Sequence, residues 1–457
     1  MSIKNQEKEK DSSYSNLSAS CGIVVMSSPG RTLMIKRPRV FYGWYIVGMM
    51  IVAMMLVYGI RTSFSSFFPH ILDEFHWFRG STAIMLSLNI FVYGLSAPVA
   101  GHLVDKWKPR AVVLIGIFLL AFSTAGCYFA RELWHFYILF GFLAPIGSAF
   151  CGSPVLNTAI INWFSKRRGL AVGLGQIGGG LSFVYVMLIE WVSSRWGWEY
   201  SFFVMAGLVL VILAPLYLVF YHVRPEDKKM KAYGYAEPQV GALADDFHVA
   251  KPDWTLKKAF GTYQLWLLVF ADFCYWGLGN YLIIAHQIKF AEDVGYTSQV
   301  ATSVLALFGL VSIVGQVGAF VSDFVGREKT ALFAVVLHVG GFLALLSVHD
   351  TSQPWLLYTY AICAGFATGT FSPTIIVGSA DIFHGKNIGA ISALLLTGVG
   401  FGGAIGPWLG GYIFDVSGSY HSAFIVSMVA VALAGVSLWI AAPRHAARLR
   451  AKRLGPG

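Results

Sequence analysis

Twelve long apolar stretches, separated by short polar breaks, constrain this chain more than any other feature. They lie at 42–69, 81–103, 111–130, 135–162, 169–192, 200–221, 264–288, 299–321, 331–348, 355–380, 387–412 and 420–442. A helix needs about 20 apolar residues to cross roughly 30 Å of hydrocarbon, so each stretch reads as a membrane span. A soluble core has no room for this much apolar surface. Hydrophobic residues make up 56% of the chain and charged ones only 12%, about half the charged share of a soluble domain. The 49 glycines suit the same setting, because small residues let membrane helices approach closely. The expected fold class is an all-α membrane protein with twelve transmembrane helices.

The spans fall into six, a polar gap and six more. Residues 1–40 read as a disordered polar tail without the apolar run of a signal peptide. Residues 41–221 form one six-helix bundle, 222–263 a linker opening on Arg224-Pro225-Glu226-Asp227-Lys228-Lys229, 264–443 a second bundle, and 444–457 a basic tail.

Placement of Lys and Arg sets the orientation. Loops on the side of the N-terminus carry 16 basic residues and the opposite loops carry 4, namely Arg79, Arg131, Arg195 and Lys289. Both termini are therefore expected in the cytoplasm, with the chain in the cytoplasmic (inner) membrane. The net charge of +10 reports topology and contact with lipid, not binding of nucleic acid.

The two halves repeat each other. Gly101-His102-Leu103-Val104-Asp105-Lys106-Trp107-Lys108-Pro109-Arg110 follows the second span, and Gly318-Ala319-Phe320-Val321-Ser322-Asp323-Phe324-Val325-Gly326-Arg327 follows the eighth in the same register. Both the fifth and the eleventh spans are rich in glycine. A duplicated six-helix unit is the mark of a transporter.

These residues resemble the major facilitator superfamily across nearly all of 40–443. The loop after the second span is similar to that family's G-x-L-x-D-R-x-G-R-[KR] motif, with Lys106 in place of the usual Arg and Pro109 interrupting the basic end. The resemblance implies two pseudo-symmetric six-helix bundles and a gating role for Asp105 and Arg110, echoed by Asp323 and Arg327. A narrower likeness rests on Tyr42-Gly43-Trp44, on Tyr58-Gly59-Ile60-Arg61-Thr62-Ser63-Phe64, on the segment from Asn162 to Gly173 and on that from Ala285 to Gly295. Together these look like bacterial carriers of the monocarboxylate and oxalate:formate branch. That branch implies small organic anions moved with a proton or exchanged for another anion. The chain departs from it in the eighth span, which lacks the Asp and Arg that monocarboxylate carriers often place there.

Charge inside a span costs about 2.5–3.5 kcal/mol on insertion scales, so the few charges that persist there are candidates for function. Arg61 is the one basic residue inside a span. A guanidinium grips a carboxylate through two parallel hydrogen bonds, which makes Arg61 the candidate substrate ligand; the alternative is snorkelling to the interface. Asp272 lies among Val269, Phe270, Phe273 and Tyr275. There a carboxyl can change protonation during a transport cycle or serve as a structural partner. Aligning Gly59 with Gly277 sets it roughly 10 Å below Arg61, which argues against a resting ion pair. His286, near the end of the seventh span, is a second candidate for proton coupling. Tyr58, Asn157, Gln176, Asn280, Tyr281 and Gln316 can hydrogen-bond a carboxylate or simply join helices. Glu190 and Asp381, at span ends, are expected to meet solvent and rank lower.

The cysteines show no metal or disulfide spacing. The glycine runs sit in apolar helices with no Gly-Lys-Ser/Thr behind them, which excludes a nucleotide loop. No nucleophile–base pair suggests an enzyme, and no cofactor is implied. The expected function is secondary transport of a small organic anion, such as a monocarboxylate, by alternating access, coupled to protons or to anion exchange. The expected partners are the anion, protons and membrane lipids, with the monomer as the working unit. The alternatives are a proton-driven exporter of lipophilic compounds and a solute sensor that does not transport.

Overall fold

The computed structural model describes residues 41–165, 167–234, 254–383, 388–441 and 443. The chain divides into two compact units, Met1–Tyr45 and Ile46–Gly457. In the first, only Phe41–Tyr45 are described.

Among the described residues, twelve helices are long and apolar enough to cross a membrane. They are α1 Gly43–Phe75, α2 Arg79–Val104, α3 Pro109–Phe129, α4 Leu133–Trp163, α5 Leu170–Trp196, α6 Trp198–Phe220, α7 Tyr263–Val294, α8 Ser298–Val325, α9 Arg327–Leu346, α10 Trp355–Ile382, α11 Leu394–Ser417 and α12 His421–Ala441. They form two six-helix bundles, α1–α6 and α7–α12. The ends of α6 and α7 that meet the linker define a linker face; the opposite end is the far face. Large apolar side chains such as Phe118, Phe122 and Val211 point outward, as a surface solvated by lipid requires.

Two helices run well past their expected ends. Hydropathy closes the first span at 69 and the seventh at 288, yet α1 continues to Phe75 and α7 to Val294. The extra turns carry Asp73, Glu74, Lys289, Glu292 and Asp293. They persist because polar groups of the two halves meet one another there, a circumstance that a count of apolar residues cannot register.

Several helices are locally irregular. The α1 helix breaks at Ser63. The Ser63 hydroxyl donates to the Gly59 carbonyl at 2.7 Å, and the Thr62 hydroxyl, with its single hydrogen, lies within 3.2 Å of the Tyr58, Gly59 and Ser182 carbonyls, the last on α5. Such back-bonding to the preceding turn bends helices. Wider π turns occupy Tyr137–Leu143 of α4, Val209–Leu213 of α6 and Phe273–Tyr281 of α7.

Glycine spacing explains how α11 is held. A Cβ at Gly398, Gly402, Gly406 or Gly410 would run into α7, against Val269, Phe273, Gly277 and His286 in turn. This four-residue repeat is a stripe along one helix face. Gly403 and Gly411 face Ile90 and Arg79 of α2 in the other half. The glycines therefore serve close backbone approach on two sides. Between α5 and α8 the same device recurs at Gly180 and Gly309.

Candidate functional site

Arg61 sits near the middle of the 33-residue α1 and is 8% exposed. The snorkelling alternative assumed a shorter helix with Arg61 near its end; six more residues beyond 69 move that end away. Arg61 is the one buried Lys or Arg among the described residues, and no carboxylate pairs with it there. Its Nε donates to Asn89 Oδ1 at 2.9 Å. The guanidinium carbon lies 4.4 Å from the centroid of the Tyr93 ring and 5.4 Å from that of Tyr58. The Tyr58 and Tyr93 hydroxyls are 3.2 Å apart. From α7, in the other half, Tyr281 interacts with the same guanidinium. One cation is thus framed by three phenols and an amide, from α1, α2 and α7. Each aromatic face is worth about 0.5–2 kcal/mol to a cation, which offsets part of its desolvation.

Of the sequence candidates, Tyr58 and Tyr281 join Arg61. Asn157 and Gln176 gather elsewhere, each donating to Ser153 Oγ on α4, at 3.0 and 3.3 Å. Asn157 Oδ1 and Gln316 Oε1 are buried without a hydrogen-bond partner among the described residues. Asn280 is used inside its own half: it donates to the Tyr275 carbonyl at 3.0 Å and accepts from Thr368 at 3.1 Å. Asp272 is buried on the linker-side third of α7, and no hydrogen bond or ion pair reaches its carboxyl among the described residues.

His286 is fully buried rather than interfacial. Its Nε2 lies 2.8 Å from the Pro407 carbonyl oxygen and its Nδ1 3.2 Å from the Tyr420 hydroxyl. A carbonyl only accepts, so Nε2 carries the proton and Nδ1 accepts from Tyr420. Tyr420 in turn accepts from Arg79 at 2.9 Å. His286 is one station of a chain that ties α2, α7, α11 and α12 together.

The candidate gating groups form clusters inside their own halves. Arg110 donates to the Tyr221 carbonyl at 3.2 Å and to His222 Nε2 at 2.8 Å. Burial, aided by the neighbouring positive charge of Arg110, lowers the His222 pKa from 6.5. Arg327 pairs with Asp323 at 2.6 Å and with Asp381 at 3.0 Å. The Asp105 side chain lies outside the described residues.

A second polar system closes the far face between the halves. Arg79 pairs with Asp293 at 2.5 Å, and Lys289 with Asp73 at 3.2 Å. The backbone N–H groups of Arg79 and Gly80, at the start of α2, donate to the two carboxylate oxygens of Asp415 at 2.9 and 2.7 Å, a carboxylate at a helix N-terminus. Ser65 donates to the Ile284 carbonyl at 2.5 Å. Glu190 corrects the expectation of a solvated span end. It is 4% exposed, and its oxygens accept from Ser66 on α1 at 2.6 Å and Ser298 on α8 at 2.7 Å. Sequence reasoning missed it because a span end in isolation faces water, whereas here α1 and α8 cover it. Asn89 and Tyr93 were missed as well; their spacing of four, one helical turn on a single face, was the available signal.

Comparison with known proteins accords with the twelve-helix architecture. The family model described as Major Facilitator Superfamily matches residues 50–375 and 292–455. Monocarboxylate transporter 13 of Rattus norvegicus is 27% identical over 411 residues, 88% of this chain and 89% of that one. Monocarboxylate transporter 11 of Homo sapiens is 24% identical over 421 residues, 88% of this chain and 83% of that one. The uncharacterized transporter YybO of Bacillus subtilis (strain 168) is 26% identical, covering 86% of this chain and 92% of that one. Among solved structures, a D-xylose-proton symporter aligns with a TM-score of 0.69 at 15% identity over 87% of this chain and 97% of that one. A bacterial homolog of the human lysosomal transporter Spinster, inward-facing and unoccupied, aligns at 0.63 and 17% identity over 89% and 97%. With twelve helices in two related sixes and relatives that carry the names of transporters, this chain belongs to the major facilitator superfamily.

Proposed function

We propose that the chain carries a small monocarboxylate across the cytoplasmic membrane by alternating access, with Arg61 holding the carboxylate. The observation that carries this reading is a buried guanidinium that meets no carboxylate among the described residues, placed mid-helix where α7 of the other half reaches it. A buried charge seeks a counter-ion, and the substrate supplies one. A single cation suits a monoanion, because the second charge of a dianion would stay unpaired in a medium of low dielectric. The relatives named monocarboxylate transporters support the same class.

The far-face contacts described above correspond to a carrier closed on that side. By the excess of basic residues on the linker side, the linker face and both termini are cytoplasmic. The carrier works as a monomer. Asp272 is the coupling group we favour, since both His286 nitrogens are engaged. Rocking of the halves about the glycine-lined contacts of α2–α11 and α5–α8 gives the alternation.

Uptake of radiolabelled L-lactate, acetate, pyruvate and benzoate into proteoliposomes tests this. Arg61→Ala removes a buried charged partner, a loss of about 2–5 kcal/mol, or more than roughly 25-fold in affinity. The variant should insert and melt normally yet lose uptake of every probe that the wild type accepts. Undiminished uptake by Arg61→Ala would falsify the assignment. Competition by neutral lipophiles but not by carboxylates would favour the exporter instead.

A further inference from the structure

We infer that Asn89 is a positioning residue that fixes which edge of Arg61 meets the substrate, so that the carboxylate is taken end-on by the two terminal guanidinium nitrogens. This rests on the substrate role proposed for Arg61.

The orientation of the Asn89 amide follows from its partners. Its Nδ2 donates to the Phe140 carbonyl at 2.7 Å, and a carbonyl only accepts. Its Oδ1 therefore faces Arg61, whose guanidinium only donates. The side chain is 3% exposed, so no water competes for either bond. Phe140 lies within the π turn of α4. The backbone of α4 thus anchors the amide, and the amide anchors Nε.

Tyr93, four residues further along α2, covers one face of the guanidinium. Helix α2 accordingly restrains both an edge and a face of the same planar group. The edge left over carries the two terminal nitrogens. A carboxylate docking side-on, through Nε and one terminal nitrogen, would have to displace Asn89. Docking end-on leaves the amide bond intact and still makes two parallel hydrogen bonds. The helices that pin Arg61, namely α1, α2 and α4, belong to one half. The guanidinium can therefore keep its aim while the halves rock, and among the described residues the Tyr281 contact is the one from the other half.

The test uses the full-length reconstituted carrier and the monocarboxylate, among L-lactate, acetate, pyruvate and benzoate, that the wild type takes up fastest. Asn89→Ala frees the guanidinium to turn. It should raise KM several-fold, up to about tenfold, the cost of fixing one freed side chain again on binding, with maximal velocity within about twofold. Asn89→Asp keeps the shape but sets a carboxylate on Nε, an internal competitor for the substrate. It should weaken the probe more than about a hundredfold. Asn89→Asp also gives up the donor to the Phe140 carbonyl, so the deciding reading is Asn89→Ala: a KM within about twofold of the wild type overturns the proposal.

A double-mutant cycle does not depend on Asn89→Asp folding. Lys has no Nε–H in its place, so Asn89→Ala should change the thermal-shift affinity for the probe little in an Arg61→Lys background. The same loss in both backgrounds overturns the positioning role. Arg61→Ala separates the two ideas: if it binds the probe like the wild type, the substrate assignment itself has failed. If it loses binding while Asn89→Ala changes nothing, only the positioning role has.

Discussion

Ser298→Ala should loosen the far face of the carrier, and Ser66→Ala should not. Both hydroxyls donate to the same carboxylate, at 2.7 and 2.6 Å. They differ in which half they belong to. In the proposed rocking motion, Ser66 on α1 and Glu190 on α5 move together, so their bond survives when the halves part. Ser298 begins α8 in the other half, so its bond exists only while the far face is closed. A hydrogen bond to a charged group contributes about 1.5–3 kcal/mol, and Glu190 at 4% exposure is little screened by water. Deleting the Ser298 bond should therefore shift the closed-to-open ratio by roughly 10- to 150-fold. Deleting the Ser66 bond should lower thermal stability while leaving that ratio unchanged. Spin labels at Ser194 and Thr351, both exposed on the far face and on opposite halves, report the ratio through their distance distribution. The accessible native cysteines are replaced by serine for this measurement. Long distances should gain at Ser298→Ala alone. Equal gains for the two variants, or none for either, would refute the idea that Glu190 acts as a bridge dependent on the state of the gate.

Two further outcomes follow from groups nearer the linker face. The lowered pKa of His222 means that the unfolded chain binds a proton more readily than the native one. Stability is then fully present above pH 6.5, the ordinary value, and falls as acid drives the pH below it. His222→Gln keeps an acceptor for Arg110 but cannot ionise, so the melting temperature of that variant should lose its dependence on pH below about 6.5; a dependence like that of the wild type would count against His222 as the source. Asp272→Asn should abolish accumulation driven by a pH gradient while leaving exchange of substrate across the membrane intact. Accumulation at the wild-type level would exclude Asp272 as the coupling group.

How much of this was legible beforehand depends on range. Span positions and the duplicated architecture follow from runs of apolar residues and from loop motifs, which are local. Arg61 is legible for the same reason: a lone basic residue within an apolar run needs no neighbour to be noticed. Tyr58 lies a turn away on the same helix, and Tyr281 follows a glycine that aligns with Gly59. The ends of α1 and α7 were misjudged because hydropathy treats every polar residue as bound for water.

The remainder depended on which helix faces which. Asn89 is one polar residue among many until α4 offers it a carbonyl and α1 a guanidinium. His286 read as an interfacial titratable group until Pro407 and Tyr420 took both its nitrogens. Glu190 read as a solvated end until α1 and α8 closed over it. The glycine run of α11 was visible, but its division into a stripe against α7 and another against α2 was not. The sequence by itself determined the solvent of this protein, the number of its helices and the existence of one stranded cation, because those follow from the cost of placing charge and apolar surface in the wrong medium. Only the tertiary structure decided the partners of the buried polar groups, because a hydrogen bond or a counter-charge across helices depends on packing that residue spacing within one helix does not specify.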